Sequence, residues 1–280
     1  MATYKQIIKK YSPLLRDVTH IPQKEVEILL LHILDKNTIW LHLNYNEECN
    51  VEKELKKLVE KRSTHYPLEY IIKKASFYGE TFLVEDGVLI PRPETEILVE
   101  KAQKVLENIS NPKIVEVGVG SGIISIMLAL LIPNITIIAV DINPKAIELA
   151  KQNAKRFDVE DKITFILSDI FQEIDVKDFD MCISNPPYIQ DSYKLPPNVK
   201  YEPSNALFGG KKGDELLKNI IDQTISNNIK YLYCEMGYDQ KQPINEYLKQ
   251  FNPQKVEFYK DYDKFDRGFC IEFQKDIDGK

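Results

Sequence analysis

Four consecutive residues, Asn185-Pro186-Pro187-Tyr188, combine groups that can hold a planar NH2 group. The Asn185 side-chain oxygen can accept one N–H bond. The Pro186 carbonyl can accept the other, because the two prolines leave this backbone little freedom to turn. The Tyr188 ring can cover the flat group. Such a site suits methyl transfer to a weakly nucleophilic nitrogen, which needs positioning and exclusion of water rather than a strong base. Taken alone, a match of four residues arises more often by chance than by function. The surrounding elements must therefore decide whether this motif is a functional site.

A glycine-rich turn supplies the first of these elements. Gly118, Gly120 and Gly122 follow a predicted buried strand over residues 114–117 and precede a helix that begins near Ile123. Glycines at such a turn let the backbone approach a ligand closely and expose N–H groups at the helix start. Their spacing is one residue tighter than the dinucleotide fingerprint, which favours S-adenosylmethionine over a dinucleotide.

An acidic residue ends the next predicted strand, residues 135–140. Asp141 lies at about the 20-residue interval at which an acid binds ribose hydroxyls. Asn143 and Pro144 already provide a cap and a first-turn proline for the following helix. We therefore expect the Asp141 carboxylate to be free for a ligand.

Two more predicted strands, residues 163–167 and 179–184, lead to Asp169 and Asn185. Asp169 is expected to accept a hydrogen bond from an adenine amino group, although an aspartate in a surface loop is common. Open α/β sheets bind ligands at the carboxyl ends of their strands. The glycine turn, Asp141, Asp169 and Asn185 should therefore meet at one edge of the sheet.

These motifs resemble those of the class I methyltransferases and, more narrowly, of the HemK/PrmC family of protein-glutamine methyltransferases. The resemblance extends over nearly the whole chain, and the Pro-Arg-Pro-Glu-Thr-Glu block is its most specific additional mark. The further matching blocks are PLEYI at 67–71, FYG at 77–79, LIPRPETE at 89–96, YEP at 201–203, ALFGG at 206–210 and EMGYDQ at 235–240.

The resemblance implies methyl transfer from S-adenosylmethionine to the glutamine side-chain amide in the Gly-Gly-Gln motif of class I peptide-chain release factors. The chain departs from the family pattern at Glu69, Glu116 and Lys212, where glutamine, aspartate and aspartate are usual. Glu116 is expected to reach the methionine end of the cofactor with its longer side chain. Together the residues and the resemblance assign cofactor binding to Glu116, Gly118, Gly120, Gly122, Asp141, Asp169 and Asn185, acceptor binding to Asn185, Pro186, Pro187 and Tyr188, and catalysis to Asn185, Pro186 and Tyr188.

The predicted fold class is α/β, a class I, Rossmann-like methyltransferase sheet with an N-terminal helical bundle. Residues 1–74 have helical periodicity, with Asn37 and Asn50 as expected helix caps. In the family such a bundle helps to dock the release factor, although a purely stabilising role fits the residues equally well. Residues 75–85 are predicted to form a hairpin linker and residues 86–280 the catalytic domain, with a seven-stranded sheet if the fold follows its class.

Composition places the chain among soluble enzymes. It has 280 residues, of which 43% are hydrophobic, enough for a main core and a smaller one. No apolar run reaches membrane-spanning length and the start lacks a signal-peptide pattern, so we expect a cytoplasmic protein, and a monomer.

The four cysteines share no C-x-x-C spacing. They are expected to be buried small hydrophobes, and no metal site is predicted.

The distribution of charge along the chain favours some classes of binding partner over others. Residues 1–85 hold 13 Lys and Arg against 12 Asp and Glu, so they carry +1 and the predicted catalytic domain, residues 86–280, carries −7, for a net charge of −6. An acidic domain repels phosphate backbones, which disfavours a nucleic-acid adenine methyltransferase with the same Asn-Pro-Pro-Tyr motif. The sequence is also compatible with a glutamine methyltransferase that acts on a ribosomal protein, and with a noncatalytic cofactor-binding module.

Overall fold

The computed structural model describes residues 2–274. The chain divides into two compact units, Met1–Lys74 with Leu195–Tyr201 and Ala75–Lys194 with Glu202–Lys280. The return of Leu195–Tyr201 to the first unit differs from the predicted domains, which placed it in the catalytic part. Residues 275–280, also assigned to the catalytic domain, lie outside the described residues.

Helices surround the core of the first unit. Asn37 caps α3, where its side chain accepts a hydrogen bond from the Trp40 N–H at 2.9 Å, as predicted. The predicted cap at Asn50 is wrong, because Val51 occupies the N-cap position of α4 without a side-chain hydrogen bond. The helices are α1 (Tyr4–Tyr11), α2 (Pro22–Leu34), α3 (Thr38–Leu43), α4 (Glu52–Ser63) and α5 (Leu68–Ile72).

Two polar contacts hold distant parts of this unit together. The buried Arg62 guanidinium forms a forked pair with the buried Glu25 carboxylate, at 2.6 Å through Nε and 3.1 Å through Nη2. The Tyr201 hydroxyl donates to the Thr64 carbonyl at 2.9 Å, and its ring lies 5.1 Å from that of Tyr66. The latter contacts explain why the segment around Tyr201 belongs to the first unit.

The predicted hairpin is formed by β1 (Lys74–Phe77) and β2 (Glu80–Leu83). Its two turn residues, Tyr78 and Gly79, have φ values of 55° and 79°, as a two-residue turn matched to strand twist requires. Glu96 accepts a hydrogen bond from the Tyr78 N–H at 2.7 Å and so ties the turn to the following helix.

The second unit continues with alternating strands and helices. Within the described residues, no helix is both long enough and apolar enough to cross a membrane. The elements are α6 (Thr95–Leu106), β3 (Lys113–Val117), α7 (Ile123–Leu131), β4 (Thr136–Asp141), α8 (Pro144–Arg156), β5 (Ile163–Leu167), β6 (Met181–Ser184), β7 (Ile189–Gln190), β8 (Phe208–Gly210), α9 (Glu215–Ser226), β9 (Tyr231–Glu235), α10 (Lys241–Leu248), β10 (Lys255–Lys260) and β11 (Asp266–Glu272).

Seven of these strands form one sheet in the order β10-β11-β9-β6-β3-β4-β5. Among the described residues, β11 pairs antiparallel with both β10 and β9, and the other pairs of this sheet are parallel, so the expected seven-stranded sheet is confirmed. Alternate strand residues enter two apolar cores, one on each face; Ile114 belongs to the first and Val115 to the second. The chain order reverses between β3 and β6, and ligands bind at such a switch point.

Candidate active site

The glycine turn leaves β3 at this switch point. Gly118 and Gly120 have φ values of 77° and 55°, which favour glycine over other residues. The Gly118 N–H donates to the Val140 carbonyl at 2.8 Å, so the turn is fastened to the end of β4. Two predicted ligand-contacting glycines thus form a rigid wall.

Gly122 has a different position from its two neighbours. It is the N-cap of α7 with φ of 87°, and it lines neither of the two cavities described below. A Cβ there would lie 2.9 Å from Ile126 Cδ1 and 3.2 Å from Ala150 Cβ. The absence of a side chain at Gly122 lets α7 and α8 pack closely, and its predicted contact with a cofactor stays a prediction.

The Asp141 carboxylate holds the turn through both of its oxygens. Oδ2 accepts from the Gly120 N–H at 3.0 Å, and Oδ1 accepts from the Asn143 N–H at 2.8 Å. Burial raises the pKa of Asp141. The carboxylate therefore has protein partners, but it has further lone pairs for ligand hydroxyls, and its contact with a ligand stays a prediction. The Asn143 side chain does cap α8, as predicted, by accepting from the Lys145 N–H.

Glu116 is fully buried on β3. Its Oε2 accepts hydrogen bonds from the N–H and the hydroxyl of Ser125, whereas Oε1 is buried without a hydrogen-bond partner among residues 2–274. Burial raises the pKa of Glu116 to about 8. A cationic ligand group beside Oε1 would satisfy the atom and lower that pKa, because an opposite charge favours the ionised carboxyl.

Two cavities meet at the switch point and share Leu89, Gly118, Gly120 and Asn185. The larger cavity also contacts Asp141, Asp169 and Pro187 among the predicted residues, and the smaller one contacts Glu116. The structure thus brings most of the predicted cofactor residues to one edge of the sheet. The larger cavity is additionally lined by Gly87, Val88, Ile142, Asn143, Ala146, Ser168, Ile170, Pro203, Asn205, Ala206 and Leu216, and Val117 completes it.

One wall of the larger cavity was not anticipated. Residues 87–89 follow β2 in the chain and line the cavity, and the Asn143 side-chain NH2 donates to the Gly87 carbonyl at 2.7 Å. The segment is well separated in the chain from the glycine turn at residue 118, so no local spacing relates the two. Only long-range packing brings them together.

Asp169 is exposed at the rim of the larger cavity, where its Oδ2 accepts a weak hydrogen bond from the Gln172 side chain at 3.4 Å. The next residue, Ile170, has φ of 51°, which is rare for a β-branched side chain. This turn carries the chain along the cavity wall and leaves the Asp169 carboxylate accessible to a ligand.

Asn185 comes directly after β6, and its side chain has a defined orientation. Its Nδ2 donates to the Thr95 hydroxyl oxygen at 3.0 Å, at the start of α6. With the NH2 end so engaged, Oδ1 is the end of the carboxamide that is left as an acceptor. Thr95 lies in the Pro-Arg-Pro-Glu-Thr-Glu block, but the sequence did not single it out.

The other three motif residues differ in their surroundings. Pro187 lines the larger cavity, whereas Pro186 is buried and, like Tyr188, lines neither cavity. The Tyr188 hydroxyl accepts from Arg267 Nη1 at 3.3 Å, and Arg267 is itself paired with Asp261 at 2.8 Å. Burial raises the pKa of Tyr188 to about 12. The ring is therefore held at a fixed angle by its hydroxyl.

Two other blocks clamp the motif's backbone. The Gln240 side-chain NH2 donates to the Tyr188 carbonyl at 2.9 Å, and the Gln240 Oε1 accepts from the Gly237 N–H at 2.8 Å. A Cβ on Gly209 would overlap the Pro187 carbonyl oxygen. Thus the glutamine of the EMGYDQ block and the first glycine of the Gly-Gly pair support the motif from behind.

Glu202 braces the segment before α6. Its carboxylate accepts from the Ile90 N–H at 3.1 Å and from Arg92 Nη2 at 2.5 Å. Both contacts are made by the LIPRPETE block, which they hold beside the smaller cavity. Glu202 thus has a structural role, because it braces a segment that is distant in the chain.

Comparison with known proteins connects this geometry to a family. A model described as "Methyltransferase small domain" matches residues 93–200, and one described as "PrmC N-terminal domain" matches residues 6–72. A protein of Aquifex aeolicus (strain VF5) named "Release factor glutamine methyltransferase" is 35% identical over 92% of this chain and 94% of its own length. This chain belongs to the release factor glutamine methyltransferase family. A member from Dictyoglomus turgidum with the same name is 44% identical over 70% of this chain and 71% of its own length.

A solved structure outside the release factor glutamine methyltransferase family has the same fold. The human Mettl16 catalytic domain, solved in complex with the MAT2A 3′UTR hairpin 6, superposes with a TM-score of 0.59. The match covers 72% of this chain and 79% of that chain, at 16% sequence identity. At this identity the likeness shows a common methyltransferase fold and carries nothing about the acceptor.

Proposed function

We propose that this protein transfers a methyl group from S-adenosylmethionine to the glutamine side-chain amide nitrogen in the Gly-Gly-Gln motif of class I peptide-chain release factors. The observation that carries the proposal is the place of Asn185, which lines both cavities at the switch point. Family membership supports the choice of acceptor, since a relative that matches nearly the whole chain is named "Release factor glutamine methyltransferase".

The residues around the two cavities fit the proposed cofactor. Glu116 offers the ammonium of the methionine end a buried oxygen that has no hydrogen-bond partner within residues 2–274, and Gly118 and Gly120 let the backbone approach. Asp141 and the exposed Asp169 offer carboxylates to the ribose hydroxyls and the adenine amino group. When bound, the cofactor supplies an electrophilic methyl group on a sulfonium centre.

The acceptor amide is held by the motif. Asn185 Oδ1 and the Pro186 carbonyl accept its two N–H bonds, and Pro187 and Tyr188 confine its plane. An amide nitrogen reacts poorly because its lone pair is delocalised, so the enzyme contributes orientation and a dry environment. The fixed Asn185 carboxamide and the anchored Tyr188 ring support this description. No strong base is required, because the nitrogen can lose its proton after the transfer.

The proposal includes action as a monomer in the cytoplasm without direct binding of nucleic acid. The acidic charge of residues 86–280 supports the last point, because phosphate backbones are repelled by it. The first unit is proposed to dock the release factor, which is supported by the match of residues 6–72 to the PrmC N-terminal domain.

One experiment tests the acceptor. The protein is incubated with labelled S-adenosylmethionine and purified release factors, and the modified residue is mapped by mass spectrometry. The expected result is one methyl group on the glutamine of Gly-Gly-Gln. Parallel incubations contain ribosomal proteins, DNA or RNA, and preferential labelling of any of these would overturn the proposed acceptor. Absence of turnover with every candidate would favour a noncatalytic cofactor-binding protein.

A further inference from the structure

A buried carboxyl group lies behind Asn185 and has no part in the proposed transfer. Glu235 ends β9, the strand beside β6, and is 1% exposed. The neighbouring Thr95 side chain acts to lower the pKa of this carboxyl, and Glu235 Oε1 has no hydrogen-bond partner among residues 2–274. A buried carboxyl is costly, so this one requires an explanation.

The Thr95 hydroxyl connects this carboxyl to the proposed acceptor site. Its oxygen accepts a hydrogen bond from the Asn185 NH2 at 3.0 Å, and the Thr95 side chain also interacts with the Glu235 carboxyl. A hydroxyl has one proton to donate. A Thr95 hydroxyl that gives its proton to the Glu235 carboxyl keeps its lone pairs for Asn185 Nδ2. The direction of these two bonds therefore decides which end of the Asn185 carboxamide is available to an acceptor.

Residues of the neighbouring strands cover Glu235. In the antiparallel ladder, Gly268 of β11 lies opposite Glu235, and Tyr259 of β10 lies opposite Gly268. Opposed residues project to the same face. A Cβ on Gly268 would overlap the Tyr259 ring, so the absence of a side chain lets that ring lie across β11. The Tyr259 side chain is itself buried.

We propose that Glu235 and Thr95 are positioning residues that orient the Asn185 carboxamide so that its oxygen faces the acceptor amide. The proposal rests on the proposed function for its kinetic test, but its structural content concerns Asn185 alone. Burial raises the pKa of Glu235 to about 7, and a carboxyl keeps an oxygen that can accept a hydrogen bond in either protonation state.

The kinetic test compares Thr95→Val, which removes the hydroxyl at constant shape, with Thr95→Ser, which keeps it. Thr95→Val should lower kcat by about 10- to 100-fold, because misplacing a positioning group costs up to about 10²-fold. Thr95→Ser should stay within about 3-fold of wild type, and cofactor affinity should be unchanged in both. Thr224→Val is the matched control, since Thr224 is equally buried. Its hydroxyl donates to the Ile220 carbonyl within α9 and interacts with Cys182 of β6.

A double-mutant cycle tests the connection to Glu235. Glu235→Leu should lower kcat about as much as Thr95→Val, and the double variant should lose no more than either single variant, because the residues act as a unit. Losses that multiply, or a Thr95→Val enzyme with wild-type kcat, would overturn the proposal. If Glu235→Leu does not fold, the Thr95→Val and Thr95→Ser pair decides.

A second readout needs no acceptor protein. In nitrogen-edited NMR spectra, the Asn185 side-chain NH2 protons should exchange slowly with solvent in wild type and in Thr95→Ser, and faster in Thr95→Val. Equal exchange in all three proteins would contradict the proposal. Wild-type protein that fails to methylate release factors but passes this NMR test would overturn the acceptor while leaving the positioning role intact.

Discussion

Asn185 illustrates how a single side chain is prepared for chemistry. One end of its carboxamide is bonded to Thr95 and the other lies at the junction of two cavities. Such preorganisation is more useful than acid or base strength when the nucleophile is an amide nitrogen. The main effect of changing Asn185 should therefore fall on the transfer step.

Replacing Asn185 separates the two halves of the site. Asn185→Ala should lower methyl transfer by at least about 10²-fold while cofactor affinity, measured by calorimetry, stays nearly unchanged. Asp141→Ala is the contrasting variant and should mainly weaken cofactor binding, because Asp141 also holds the Gly120 and Asn143 N–H groups. An active Asn185→Ala enzyme would exclude the proposed role of Asn185.

Glu116 should couple cofactor binding to a proton. Its pKa of about 8 keeps the free carboxyl protonated at pH values below 8, and a cationic amino group beside it would lower that pKa. Binding in that pH range should then release up to about one proton, and affinity should rise as the pH increases towards 8.

The number of protons released on cofactor binding is measured by calorimetry in two buffers of different ionisation enthalpy. Glu116→Gln, which cannot ionise, is the control and should give the same binding enthalpy in both buffers. Equal enthalpies for the wild-type protein would show that Glu116 does not change its ionisation on binding. In the absence of the cofactor, the same raised pKa means that the folded state loses stability as pH rises from 4.5 to about 8.

At the scale of elements, the site is assembled from strand ends and supported by glycines. Gly209, at the centre of β8, lies against the Pro187 backbone and leaves no room for a Cβ. The glycine therefore sets how closely β8 approaches the Asn-Pro-Pro-Tyr motif.

Gly209→Ala should displace the motif. We expect a loss of about 1–3 kcal/mol in the free energy of unfolding, as for other overpacked sites, together with a large loss of methyl transfer. Gly79→Ala is the control, since Gly79 has a positive φ but nothing within 4 Å of a built Cβ. It should lose some stability through backbone strain and keep its activity. Unfolding in urea and the transfer assay measure the two effects; full activity of Gly209→Ala would contradict this account.

The whole molecule contains two units, each with its own apolar core. In the first unit, the forked pair of Arg62 and Glu25 replaces apolar packing with two buried charges. Such a pair adds little net stability, but removal of one partner leaves an uncompensated buried charge. Removal of Arg62 or Glu25 alone should therefore destabilise the first unit.

Arg62→Met should therefore cost about 3–5 kcal/mol of stability. The double variant Arg62→Met/Glu25→Leu should recover most of this loss, because no buried charge remains. Cofactor affinity should stay within about 2-fold of wild type in both, since every residue around the two cavities belongs to the second unit. Urea unfolding and calorimetry measure these outcomes, and a double variant less stable than the single one would refute the explanation.

Local patterns were sufficient to predict much of the molecule. Buried strands, a glycine turn and capped helices depend on neighbouring residues, so the central strands, the hairpin and the Asn37 and Asn143 caps could be predicted. The seven-stranded sheet was expected from the fold class that the chain resembles. The same reasoning placed Gly118, Asp141 and Asn185 at one edge, because parallel strands end there together.

The prediction was less complete wherever a side chain's partner is distant in the chain. The third glycine of the turn faces α8, the Asp141 carboxylate is already engaged, and Thr95 and Glu235 meet behind Asn185. Glu235 also ends a strand beside β6, so the rule used for the other strand ends could have identified it.

The sequence by itself determined the kind of chemistry and the elements that present it, because residue type, spacing and the succession of strands along the chain can be read locally. Only the tertiary structure decided which groups are free to act. Hydrogen bonds and burial between residues far apart in the chain orient Asn185, occupy Asp141 and leave an oxygen of Glu116 unpaired among the described residues. Those contacts arise from packing, which no short pattern encodes.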